Sequence, residues 1–237
     1  MIDSFFEHYN WMGTLIFLAI LYVTTRVGKA IAFRIPAIKR MLDWNRHEDA
    51  PKRASSKWKP VAKGQQKVGL IINGGFLLLL CPFFVTLGEL TWWRPLADAF
   101  IVLMVYDLFY YLIHRFLFHG PILKRVHGLH HQARDPSYAD ALYVHSTETC
   151  IGLGLFVVCL SVYGFVVGGM HAISIALTYL LYVQLNSINH CKFDLNFFPF
   201  RSINYLTTKH AIHHENMNKG NYASITPLYD WLFGTLD

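Results

Sequence analysis

At 237 residues the chain fits one domain, and 54% hydrophobic against 15% charged residues is too apolar for an ordinary soluble one, which is about a quarter charged. Its four cysteines, Cys81, Cys150, Cys159 and Cys191, form no C-x-x-C pair, so they carry no iron–sulfur, zinc-ribbon or thioredoxin signal. The net charge of +6 does not point to nucleic acid, because of where the charge lies: ten basic residues fall between Arg34 and Lys67 against only Asp43, Glu48 and Asp49. That segment separates two long apolar stretches, and the positive-inside rule keeps such a loop in the cytoplasm.

Apolar spans run at about 11–33, 68–92, 95–118, 149–168 and 170–189. Each approaches the roughly 20 helical residues needed to cross a hydrocarbon core. The first carries Arg26 and Lys29 near its end and has no small-residue cleavage site behind it, so it reads as an anchor rather than a removable signal. Glu89 to Pro95 and Gly168-Gly169 are expected as tight hairpins. The expectation is an all-α integral membrane bundle of about four to five spans, with segments 34–67, 119–148 and the tail from His190 on the cytoplasmic side. On that side they form a histidine-rich helical cap.

Thirteen histidines are present, and nine fall into a pattern. His114 and His119 close the third span, His127, His130 and His131 follow as HGLHH, His190 ends the fifth span, and His210, His213 and His214 form HAIHH in the tail. An H-x-x-H-H spacing on a helix projects all three imidazoles from one face. Two facing triplets and the span-end histidines supply more neutral ligands than one ion accepts, so two metal ions are expected, and imidazole suits iron, zinc, copper and nickel. A single histidine of this kind is ordinarily a surface group at a membrane interface; two identical triplets weigh against that. His8, His47 and His171 fall outside the pattern, while His145, three residues before Glu148, is a ligand, an outer-sphere group or a substrate contact.

Asp107 is a carboxylate inside a membrane span, where charge is costly and usually functional. It lies two helical turns before His114, so it is expected to accept that imidazole's free N–H and fix its orientation. A structural partnership with Arg115 or another cation is the competing reading. Asn186, one turn before His190, either serves similarly or caps its span. Glu148, Asp140 and Glu215 lie near the clusters, with roles left open.

At these residues the chain resembles the fatty acid hydroxylase and sterol desaturase superfamily of membrane di-metal enzymes. The resemblance rests on D-x-x-x-Y-x-x-H-R at Asp107, Tyr111, His114 and Arg115, on HGLHH and HAIHH, and on N-Y-x(7)-D-x-x-F-G-T from Asn221 to Thr235. It covers roughly residues 95–237, leaving 1–94 as membrane anchor and basic loop, so two parts are expected, with the catalytic one second. Only seven residues separate His119 from His127, as in the hydroxylase branch, and Tyr143 to Thr149 is similar to that family's H-P-x-E segment with Ser146 in place of proline. Where fatty acid hydroxylases often carry H-x-x-x-H in the last membrane helix, this chain has Asn186-x-x-x-His190.

The resemblance implies two iron ions, with zinc possible as isolated, the nine patterned histidines as ligands, Asp107 and Glu148 as catalytic carboxylates, and O2 as co-substrate. It implies oxidation of an unactivated C–H bond of a lipid (fatty acyl, sterol or carotenoid) to an alcohol, or to an alkene if a second hydrogen is lost. Electrons must come from outside, because the chain has no dinucleotide-binding glycine pattern, no clustered cysteines and no haem motif. A ferredoxin or a b-type cytochrome with its reductase is the implied donor, and the basic segment 34–67 is a candidate docking surface. Two other classes remain: a zinc-dependent membrane enzyme without a redox step, and a non-catalytic metal-binding or transport protein. Asp107 is the one carboxylate at depth, which disfavours a transport path.

Overall fold

The computed structural model describes residues 8–237 and is almost entirely helical. Helix α1 (Trp11–Ala32) starts where the Asn10 side chain accepts the Gly13 N–H at 2.8 Å. Three residues later the chain turns at Pro36, whose fixed φ suits a first helical turn, into α2 (Pro36–Ala54). Helix α3 (Trp58–Gly75) runs on through a π turn at Phe76–Leu80 and a 3-10 turn at Cys81–Phe83, making a 26-residue apolar rod. Helix α4 (Arg94–Ile113) likewise continues through a π turn, His114–Phe118. After the short α5 (Lys124–His127) come α6 (Ser146–Val166) and α7 (Ala172–Ile188). The tail holds α8 (Arg201–Glu215) and α9 (Leu228–Leu232).

Four rods are long and apolar enough to cross a membrane: Trp11–Ala32, Trp58–Phe83, Arg94–Phe118 and Ser146–Val166. The fifth expected span is α7, whose 17 residues rise about 25 Å, short of a full crossing by itself. It lies against α1 and α4, with Ala172, Ile175 and Thr178 fully buried. The core is aromatic: Phe156 stacks on Tyr182 at 3.8 Å between centroids, Tyr106 meets both edge-on, and Phe17, Phe76, Phe84 and Met170 fill the space between α1, α3 and the α6–α7 turn. That turn is closed by Gly168 (φ +74°) and Gly169 (φ +126°), conformations an L side chain rarely adopts. Directly after it Met170–His171 pairs in parallel with Val85–Thr86.

Two expectations need correction. The segment 34–67 is not a loop but helix α2 and the first turns of α3. Met41, Asn45 and Asp49, spaced i, i+4, i+8, form a buried stripe that docks on the chain beyond α5. Asn45 accepts the Lys192 and Tyr138 N–H groups and donates to the Lys192 carbonyl, Asp49 accepts the Ala139 N–H at 2.8 Å, and Lys52 pairs with buried Asp140. The dense charge hid a helix whose polar groups face a polar partner. The helix of the second span begins at Trp58, ten residues before its apolar part, and the rod ends at Phe83 rather than 92. Along its exposed side Lys59, Lys63 and Lys67 give way within one turn to Leu70 and Ile71, which marks the membrane boundary.

Contacts also fix sidedness. Segment 119–145 follows α4 and the tail follows α7, and both meet α2 at Tyr138 and Lys192. The α6–α7 pair is therefore an excursion that returns to the face it left.

Candidate metal centre

The helices of the bundle end on that face in two groups of imidazoles. The first is His114, His119, His127, His131 and His213; the second is His130, His190, His210 and His214; within each, the potential ligand atoms lie within 4.8 Å of one another. All nine patterned histidines are thus brought together, and among the described residues no other histidine, cysteine or carboxylate joins either group. The triplets do not act as one face each. HGLHH sends His127 and His131 to the first group and His130 to the second, while HAIHH sends His210 and His214 to the second and His213 to the first. For HAIHH, which lies on α8, helical geometry allows the split: positions i and i+4 lie about 40° apart around the axis and i+3 is swung away from i+4 by about 100°. HGLHH is not on one helix: α5 ends at His127, and after two turn residues a 3-10 turn (His130–Gln132) carries the other two rings.

Seven of the nine rings turn Nδ1 outward to an acceptor. In the first group His114 donates to the Tyr222 carbonyl (2.6 Å), His119 to that of Met217 (2.8 Å), His213 to that of Gly220 (2.7 Å), and His127 to Glu148 Oε1 (2.9 Å). In the second, His130 donates to the Tyr143 carbonyl, His190 to that of Asn186 and His214 to that of Ala133, at 3.0–3.2 Å. Carbonyls only accept, so Nδ1 carries the hydrogen and Nε2 is left as a bare lone pair. Burial, before any other cause, pushes the protonation of His119, His127, His131, His190, His210, His213 and His214 below the ordinary range.

The bare nitrogens then face one another. In the first group Nε2 contacts run His114–His127 (2.9 Å), His127–His131 (3.0 Å), His131–His213 (3.1 Å) and His213–His114 (3.2 Å), closing a ring, with His119 3.3 Å from His213. In the second they run His130–His190 and His190–His210 at 3.0 Å, then His210–His214 at 3.2 Å. Two lone pairs at that separation repel unless a cation lies between them. A metal–nitrogen bond of about 2.1 Å puts right-angle ligands about 3.0 Å apart, so both groups fit a divalent transition ion. The groups are adjacent: the His131 and His214 rings stack at 4.8 Å. These two also line a polar cleft of about 570 Å³ with Gln132, Arg134 and Asn216, on the face away from the spans.

Other expected site residues land elsewhere. Asp107 does not touch His114. It accepts the Ser224, Ile225 and Thr226 N–H groups at 2.9–3.0 Å and the Thr226 hydroxyl at 3.2 Å. Among the described residues it pairs with no cation either, and Arg115 donates to the Tyr111 hydroxyl instead. The reach expected from helix spacing fails because a buried carboxylate takes the nearest unpaired donors, here three consecutive amides of a turn. Glu148 is the carboxylate that orients a ring, that of His127. His145 is outside both groups and caps α6 by accepting the Thr147 N–H. Asn186 touches His190 only through its carbonyl, while its side chain donates to the Tyr182 carbonyl. Asp140 closes the turn at Ser137 and Glu215 is exposed. Asp230, which the sequence marks only as a member of the C-terminal motif, accepts the Tyr222 and Ala223 N–H groups.

The family model for fatty acid hydroxylase matches residues 99–235, more than half of the chain. The chain belongs to that family. The match runs from within α4 through α9 and therefore takes in every histidine of both groups. Among its relatives, methylsterol monooxygenase 1 of Rattus norvegicus is 27% identical over 99% of this chain and 80% of its own length. The very-long-chain aldehyde decarbonylase CER1 of Arabidopsis thaliana is 26% identical over 71% of this chain, and fatty acid hydroxylase domain-containing protein 2 of Homo sapiens is 27% identical over 70%. The chain spans only 28% and 48% of the length of those two proteins. No solved structure matches it.

Proposed function

We propose that this chain is a membrane lipid monooxygenase that holds two iron ions, one in each histidine group, and inserts one oxygen atom of O2 into a C–H bond of a lipid. The observation that carries this reading is the pair of adjacent, carboxylate-free clusters of inward-facing Nε2 lone pairs at the membrane boundary. Similarity to a methylsterol monooxygenase and to an aldehyde decarbonylase supports lipid oxidation chemistry and a sterol or long-chain substrate. The net reaction takes the C–H bond, O2, two electrons and two protons to an alcohol and water. When bound, the metal pair supplies O2 activation.

The chain's own groups do the rest. Seven Nδ1–H donations hold the rings in the ligating tautomer, and the negative charge of Glu148 makes His127 the more basic donor. The substrate comes from the bilayer. An apolar groove of about 440 Å³ opens between α4 and α6, lined by Ile101, Val105, Phe109, Leu155 and Val162. Its inner end at Phe109 lies five residues, about 8 Å of helix rise, from His114. Electrons enter from a ferredoxin or b-type cytochrome with its reductase on the polar face, which the positive-inside rule assigns to the cytoplasm. Residues 1–94 serve as the anchor that also clamps the cap, and 95–237 carry the chemistry.

Lipid mass spectrometry of cells with and without the gene tests the proposal. A gain of one oxygen in a defined lipid class, dependent on O2 and abolished by His130→Ala or His213→Ala, is the expected result. A product that forms without O2 or reductant, with zinc bound, overturns it in favour of a non-redox enzyme.

A further inference from the structure

The two histidine groups are held by different parts of the chain. For the second group, the Nδ1 acceptors are the carbonyls of Tyr143, Asn186 and Ala133, all from segments beside the membrane helices. For the first group, three of the four Nδ1 acceptors with a partner come from one short stretch of the tail: the carbonyls of Met217, Gly220 and Tyr222. That stretch has no helix or strand to keep it in place. Asp237 accepts the Gly220 N–H, Asn221 donates to the Lys209 carbonyl, and the Ser224 carbonyl accepts from Asn189, but the main ties are a pair of buried carboxylates that accept five consecutive amides. Asp230 takes those of Tyr222 and Ala223, and Asp107, reaching from the α4 span, takes those of Ser224, Ile225 and Thr226. Thr235 locks the two ends together, since its hydroxyl meets Asp230 at 2.8 Å and Tyr111 at 3.0 Å while its carbonyl accepts the Asn221 N–H. The two motifs at 107–115 and 221–235 are therefore the two halves of one clamp.

We propose that residues 217–235 form a positioning strap specific to the first histidine group, and that Asp107 and Asp230 are its anchors. The inference rests on the proposed metal-binding role of both groups. Neither carboxylate touches a ligand imidazole. Each acts through the carbonyls that the strap presents to His114, His119 and His213. Loosening the strap frees three rings of the first group to rotate and leaves the second group's acceptors where they were. Occupancy of the two sites thus becomes separable, with the first site forming only once the tail is seated.

The test is metal content of the full chain in mild detergent after dialysis against a weak chelator. Wild type is expected to keep close to two ions, and Asp107→Asn or Asp230→Asn close to one, with helicity by circular dichroism unchanged. Combining Asp107→Asn with His114→Ala should lower the count no further than His114→Ala alone, because both strike the same site. Combining it with His130→Ala should bring the count near zero. In metal-free protein, Asp107→Asn should speed hydrogen exchange at amides 222–226 while those of α6 keep their protection. Two retained ions, or equal loss from both sites at unchanged helicity, overturns the strap. An aggregated Asp107→Asn passes the decision to Thr235→Val under the same criterion. A wild-type protein that binds no metal overturns the proposed function instead, so the two failures are distinct.

Discussion

The histidines of this protein are defined more by what holds their outer nitrogen than by what faces the inner one. For His119, His127, His131, His190, His210, His213 and His214, proton uptake is opposed first by lost solvation. The sign follows from linkage. In the unfolded chain these imidazoles protonate at their ordinary value of 6.5, and in the folded protein they do so lower, so the unfolded state binds more protons below that point. Stability of metal-free protein is therefore full above pH 6.5 and falls as pH drops below it, steeply because at least seven groups share the shift. Thermal melts in detergent between pH 8 and pH 5 check this, and a flat profile contradicts it. Glu148→Gln keeps an acceptor for His127 but removes the charge. Affinity of the first group's ion should weaken about 10–100-fold with the second unchanged, read by chelator competition. Equal weakening of both would show that Glu148 serves the fold instead.

At the scale of elements, α2 is where charge patterning misled. The ten-to-three excess of basic residues over 34–67 suggests a solvated loop, yet within that segment the buried stripe Met41–Asn45–Asp49 makes α2 a lid over the segment after α5. Asn45→Ala strands the Lys192 and Tyr138 amides, which should cost about 1–3 kcal/mol. Limited proteolysis at the 33–36 and 55–57 junctions should then cut faster, and unchanged protection would remove the clamp role. On the opposite side, a Cβ at Gly164 would lie 2.5 Å from the Phe84 ring. Gly164→Ala should destabilise by about 1–3 kcal/mol through overpacking, seen as a lowered melting temperature with metal content intact below the transition.

For the whole molecule, sidedness is the property on which the site depends. Because α2, segment 119–145 and the tail are in contact, cysteines placed at Lys57 and Asn218 should be labelled from the same side of intact cells. The proposed function assigns that side to the cytoplasm, and on that proposal a reagent outside the cell is expected to reach neither. Labelling of one and not the other would contradict the packing of α2 on the cap.

The sequence by itself determined the membrane bundle, because apolar spans of about 20 residues have few other solutions in water. It also determined which nine histidines converge, since residue type and helical spacing are local properties. It did not determine how the nine divide. The 2:1 split of each triplet depends on the crossing of α8 with the turn after α5, a contact between residues more than 80 apart. Asp107 marks the same limit: its depth in a span was legible as important, but its donors are amides 117–119 residues away. A carboxylate's partners are chosen by which backbone groups the fold leaves unpaired beside it, and only the tertiary structure supplies that list.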